Sequence, residues 1–262
     1  MAGESQIEIV DTYQYLGIKL RSSGSMQVAT DELYAKASRA WFSISNVLYQ
    51  HKKLAVHKAL MLFDSLIRPI FSYAAEFWLP FVIPKEGFES QSNIPKFWES
   101  FNPELLNQKM CRPLLSVHRR GSRLAVLGVL GRYPVFIPAL RHCIKYQYHI
   151  NQMDNSSLIS IALSDMGKNP NIDCWLSRVE KIKALFNLKR LYGKPDRIGL
   201  VIDKNIKSKF DRFYLEEINQ IKCGLDGQDH NKLRFYKTLK GSFKIEPYII
   251  LYESKIEIKG IG

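Results

Sequence analysis

Side chains that could run a reaction are scattered in this chain. Two-metal phosphoryl transfer needs carboxylates gathered to hold the ions, and the sequence has no Asp-Asp pair. His142 and His149 stand seven residues apart, but no His or Cys set has the short spacing of a metal site. No Walker loop, G-x-S-x-G turn or Gly-rich dinucleotide turn occurs. Ser65 beside Asp64, and Ser72 near Glu76, read as polar positions on a helix face. What remains is binding chemistry. Residues 111–150 contain seven Lys or Arg and no acid. Among them Arg119, Arg120, Arg123 and Arg132 carry guanidinium groups that can fork onto phosphate oxygens. Tyr133, Tyr146 and Tyr148 offer faces on which unpaired bases can stack. Two readings of this run stay open. It is a phosphate-tracking surface, or it is a solvated face whose acids lie elsewhere in the chain.

The whole composition leans the same way. The 262 residues carry 38 Lys and Arg against 25 Asp and Glu, a net charge of +13 with pI about 9.5. Such a surplus favours a polyanionic partner. At 46% hydrophobic the chain can build a core. The cysteines at 111, 143, 174 and 223 show no zinc-knuckle or redox spacing and read as reduced packing residues of an intracellular protein. The opening MAGESQIEIV lacks the order of a signal peptide. Leu60 to Pro84 is apolar, yet Asp64, Arg68, Ser72 and Glu76 recur every four residues. A charge at the middle of a span costs roughly 2.5–3.5 kcal/mol, so a buried helix is expected there, and no membrane.

The elements that must position these residues are mostly helical. Ile7–Val10 and Thr12–Leu20 read as a hairpin reversing at Val10-Asp11-Thr12, with Gly17 inside the second strand. That glycine marks a plain bulge or a close approach by a nucleic-acid backbone. Leu33, Ala37, Trp41, Ile44 and Leu48 set the buried face of a long helix over Met26–Gln50, with Lys36 and Arg39 off that face. A second helix runs from Leu54 to Trp78 and kinks at Pro69, which lacks an N–H. A loop from Leu79 to Asn93 is followed by proline-cut helical pieces from Ile94 to Val117 and a basic turn at 118–123. Helices follow over Val135–Met153, Ser156–Met166, Pro170–Tyr192 and Asp203–Cys223, and a short strand is expected at Tyr248–Tyr252. The fold class is mainly α: an N-terminal β-hairpin (1–25), two helices (26–92), and a helical C-terminal region (93–262) with the basic segment at 111–150.

Several blocks carry a family likeness. Asp11 to Ile18, DTYQYLGI, resembles the YKYLG segment of the reverse transcriptases of non-LTR (LINE-type) retrotransposons. Leu62 to Ile70 resembles their LFDSLV.PI block and Tyr73 to Trp78 their YG.E.W block. Leu130 to Pro134 resembles LGRYP. Lys232 to Tyr236, with Phe243 to Tyr248, resembles KL..Y…F..E.YL. The blocks come in family order. Ala74 stands where the family usually has Gly, and the aspartate pair of the palm is absent.

The resemblance implies the primer-grip hairpin, thumb and C-terminal helical region of an RNA-directed DNA polymerase. Its partners would be RNA and DNA, as template and primer, and the missing palm and fingers. It implies nucleic-acid contacts at Tyr15, Leu16, Gly17 and Lys19 in the hairpin, at Lys36 and Arg39 on the first thumb helix, and at Arg119, Arg120, Arg123 and Arg132. It implies no catalytic residue and no cofactor in this chain, because Mg²⁺ belongs to the palm; alone it would not polymerise. A nuclear or cytoplasmic location is expected. The other reading is a helical scaffold or interaction protein, a domesticated retroelement remnant.

Overall fold

The computed structural model describes residues 9–50, 55–83, 98, 101–118, 120–168, 172–188, 195–219, 241–247 and 249, with 47–50, 195–196 and 219 placed by backbone alone. The chain is mainly helical, with one N-terminal hairpin. Its buried side chains form a continuous cluster from Ile18 to Phe243, so the three stretches distinguished in the sequence share a core.

The hairpin is real, but its register differs from the sequence expectation. Strand β1 (Thr12–Tyr15) pairs antiparallel with β2 (Ile18–Arg21), Thr12 opposite Arg21 and Tyr15 opposite Ile18. The reversal is Leu16-Gly17, at φ 46° and 83°. Both residues are left-handed, as a two-residue type I′ turn demands. Gly17 is therefore a turn residue, neither a bulge nor a strand interior. Asp11 does not turn the chain; it latches the open end. Its carboxylate accepts from Ser22 Oγ (2.5 Å) and Arg21 Nε (3.2 Å), and its carbonyl accepts the Ser22 N–H.

Helix α1 (Gln27–Gln50) buries Ala29, Leu33, Ala37 and Trp41 along one face, as the period requires. The second helical segment is more broken than expected. After α2 (Val56–Leu62), residues Phe63–Ile67 form a π-helical turn in which the Arg68 N–H reaches back five residues to the Phe63 carbonyl. Pro69 has no N–H for the Ser65 carbonyl and crowds it, so a widened turn just upstream is the physical answer. Helix α3 (Arg68–Ser72) then stops at Tyr73 and Ala74 before α4 (Ala75–Val82) begins. The stripe expected through Glu76 is interrupted there, and Leu79–Val82 are helical, not loop.

Ala74 holds φ 51°. A side chain in that conformation costs roughly 1–2 kcal/mol, while glycine gives back less through its freer unfolded state. Ala74→Gly is expected to stabilise the fold by about 0.5–1 kcal/mol. A melting curve with an unchanged or lower midpoint would refute this.

Among the described residues the helices that follow are α5 (Asn102–Leu114), α6 (Arg123–Val129), α7 (Phe136–Ile150), α8 (Leu158–Lys168), α9 (Trp175–Leu185) and α10 (Pro195–Asn219). Helix α7 buries Phe136, Leu140, Cys143, Gln147 and Ile150 at helical spacing, and packs against α4 and α10. Helix α10 answers with Ile198, Ile202, Ile206, Phe210 and Tyr214. The rings of Phe136 and Phe210 meet Trp98 at 6.0 and 5.2 Å. Of the strand expected at Tyr248–Tyr252 only Ile249 lies among the described residues, and it is helical. Strand-like pairing occurs instead between Ile245 and Leu130.

Next to that bridge Gly131 sits at φ 55°, and a Cβ there would lie 2.5 Å from the Ile245 nitrogen and 2.8 Å from the Lys244 carbonyl carbon. Backbone cannot yield as a side-chain tip can. Gly131→Ala should therefore cost roughly 2–3 kcal/mol, from the left-handed strain and the overpacking together. Urea unfolding within about 0.5 kcal/mol of wild type, the range of a substitution that meets nothing, would show that the segment at 244–245 is not pressed against it.

Candidate nucleic-acid interface

The strand pairing puts Tyr13, Tyr15, Ile18 and Leu20 on one face of the hairpin, because residues opposite each other share a side. Ile18 is buried; Tyr13, Tyr15 and Leu16 are 61, 57 and 72% exposed. The tip is an apolar, aromatic surface open to solvent. It is held by Tyr73, whose Oη donates to the Leu16 carbonyl at 2.8 Å.

On the other face, Lys19 points to α1. Its Nζ is 3.5 Å from Glu32 Oε2, and Lys36 Nζ is 3.0 Å from Glu32 Oε1. The Lys36 hydrogen bond and the two ammonium charges hold the Glu32 carboxyl below the usual range. Arg39 lies three residues beyond Lys36, the spacing of neighbours on a helix surface. It is exposed, with no ion-pair partner among the described residues. Lys19 and Lys36 thus flank a single carboxylate where the hairpin meets α1, and Arg39 follows Lys36 along the same helix.

Among the described residues, two arginines of the basic run, Arg123 and Arg132, are engaged with other parts of the chain. Arg119 lies outside the described residues. Arg120 is exposed, its N–H donating to His118 Nδ1 at 3.2 Å. Arg123 lays its guanidinium 5.4 Å from the Trp98 ring centroid. Burial pushes its pKa down to about 10, against the pull of Glu217.

Arg132 is withdrawn from the interface. Its guanidinium forks onto Asp64 at 2.6 and 2.8 Å, and its Nε donates to Asn107 Oδ1 at 3.0 Å. It also lies 5.5 Å from the Phe63 ring centroid. Burial opposes its charge, but the Asp64 bonds outweigh that and hold its pKa above the ordinary value. Arg141 is likewise paired, with Asp203 at 2.9 Å. For Arg132 and Arg141 the acids missing from the local sequence arrive from distant helices.

The Arg132 pair belongs to a buried polar network. Glu104 and Asn107 are fully buried on α5. Glu104 Oε1 accepts the N–H of Phe136 at 3.1 Å, at the start of α7, and Oε2 accepts from Asn107 Nδ2 at 3.4 Å. Burial pushes the Glu104 pKa up to about 8 despite these bonds. The sequence reading missed Glu104 and Asn107. A usable signal was there: Glu104, Asn107, Gln108 and Cys111 recur at three and four on the face that also carries Met110. Arg178 was missed as well. It is buried, forks onto Asp173 at 2.7 Å through both Nε and Nη2, and donates to the carbonyls of Pro80, Phe81 and Ile83. A cation there completes the α4 C-terminus.

These contacts link the sequence blocks that carry the family likeness. Tyr73 bonds to Leu16, and Asp64 to Arg132. Gly131 abuts Lys244 and Ile245, and the Tyr133 ring lies 4.9 Å from Phe243. Among the described residues no group of three His, Cys, Asp or Glu could hold a metal ion, and no helix is long and apolar enough to cross a membrane. No protein-family model matches this chain, and neither a curated protein nor a solved structure matches it.

Proposed function

We propose that this chain is a nucleic-acid-binding thumb and C-terminal part of an RNA-directed DNA polymerase of the non-LTR retrotransposon type, without the catalytic palm. The observation that carries the reading is the mutual contact of its signature blocks, which lie far apart in sequence. Ala74 adds to it: the position where the family usually has Gly is left-handed in this fold. In this reading the hairpin tip offers Tyr13 and Tyr15 to a primer end, and Lys19, Lys36 and Arg39 contact backbone phosphates. Stacking is worth roughly 1–3 kcal/mol per base. Each phosphate contact steepens the salt dependence by about 0.9 in log–log slope on a B-form duplex.

Fluorescence anisotropy of the full chain with an RNA–DNA primer–template, over a salt series, tests this. Lys36→Ala with Arg39→Ala should flatten the slope by about two contacts and leave stability unchanged. No binding at micromolar protein, or an unaltered slope, would overturn the interface. A second reading, an interaction scaffold, is favoured by one observation: Arg132 and Arg141 each pair with a carboxylate of the chain itself. It becomes the better account if duplex binding fails.

A further inference from the structure

A cleft of about 450 Å³ opens between the kinked helical segment, the turn at 130–135 with the start of α7, and α10. Four cations line it, Arg68, Arg132, Arg141 and Lys207, against two carboxylates, Asp64 and Asp203, with His57 also on the wall. Both carboxylates are engaged already, Asp64 with the two oxygens on Arg132 and Asp203 with Arg141. The cations are not exhausted. Arg68 makes one long contact, 3.6 Å to Asp64, and its side chain is about a third exposed (36%). Arg141 uses Nη1 on Asp203, with its side chain exposed to a similar degree (37%). Lys207 is exposed, 5.3 Å above the Tyr133 ring centroid, and its charge also acts on Asp211 one turn on, whose carboxylate already accepts from Tyr133 Oη. Arg132, locked by Asp64 and Asn107, is a fixed positive floor.

The surplus of two positive charges matches the dianion of a phosphate monoester. Guanidinium groups with spare N–H donors suit its oxygens. Leu60, Met61, Pro134 and Pro138 add an apolar part to the wall, beside His57 and Tyr133. An organic phosphate can use both parts, the charged anchors and the apolar wall, where a bare anion uses only the first.

We propose that this cleft binds a phosphate monoester about the size of a nucleotide, the phosphate held by Arg68, Arg141 and Lys207 and the organic body lying on the Met61–Pro138 wall. The ligand is a free nucleotide or the phosphorylated end of a strand. The proposal does not rest on the duplex interface, since it uses none of the residues of the hairpin or α1.

Isothermal titration of the full chain with adenosine 5′-monophosphate, adenosine, and a short oligonucleotide with and without a 5′-phosphate tests it. The monophosphate should bind saturably and adenosine should not. Lys207→Gln and Arg68→Gln should each weaken binding about tenfold or more, the loss of one charge-assisted contact. Their far-UV circular dichroism and melting should stay at wild type. Binding of the phosphorylated oligonucleotide but not the hydroxyl form identifies a strand end; binding of the mononucleotide alone identifies a free ligand. Either supports the site. No saturable binding at millimolar monophosphate, equal binding of adenosine, or wild-type affinity in both variants overturns it. The Lys36 and Arg39 variants should leave this binding intact, so failure of the duplex interface and failure of the cleft are told apart.

Discussion

Arg132→Ala is expected to lose about 2–3 kcal/mol of stability, because it removes a buried guanidinium and two charge-assisted bonds from a half-buried carboxylate. Asp64 would be left with only the 3.6 Å contact to Arg68, and Asn107 would lose its donor. The Phe63 ring would lose the cation above it. The penalty belongs to the stranded carboxylate more than to the pair itself. Replacing both partners with apolar groups of similar volume, Asp64→Leu with Arg132→Met, should therefore recover most of the loss. Urea unfolding of the two singles and the double gives the coupling directly. A single-variant cost under about 1 kcal/mol, the worth of an exposed pair, would mean that Arg132 is not embedded as described. The contrast with Lys36 and Arg39 is diagnostic: those changes should alter duplex binding and not stability.

Glu104 predicts a second large effect, with pH as the lever. Between about pH 4.5 and 8 the unfolded chain has released this proton and the folded chain still holds it. The folded state binds more protons over that window, so stability falls as pH rises. The slope approaches about 1.4 kcal/mol per pH unit from this one group. Above about pH 8 both states are ionised and the contribution flattens. Glu104→Gln keeps an acceptor for the Phe136 N–H and carries no proton to lose. Its unfolding free energy should lack that slope, so that it overtakes wild type toward pH 8. Parallel stability curves for the two proteins from pH 5 to 8 would show that Glu104 is ionised throughout.

The helices were legible because their buried faces are periodic. Leu33, Ala37 and Trp41 announce α1, and Phe136, Leu140, Cys143 and Ile150 announce α7. Pro69 announced a disturbance, since a missing N–H is a local fact. The hairpin turn was not legible. Its first residue is Leu16, an L side chain at positive φ that no turn preference favours, while Asp11 beside Thr12 imitates a turn. The left-handed corner at Ala74 was hidden for the same reason. The candidate site divides in the same way. Lys36 and Arg39 could be placed from helical phase alone. Arg132 could not, because nothing local says that a carboxylate 68 residues earlier meets it. A charge count along the chain cannot distinguish a free guanidinium from a neutralised one. Glu104 was obscured by the opposite prejudice, that acids face water.

Tyr73 has a consequence beyond its one hydrogen bond to Leu16. A two-stranded ribbon is barely stable by itself, so it has little rigidity with which to choose a direction. This one is fastened near its fingertip to the residue where α3 ends and the chain bends into α4. The ribbon's aim is set by the bend. A small rotation at that elbow would swing the tip as a pointer swings on its pivot, with the strands themselves unchanged.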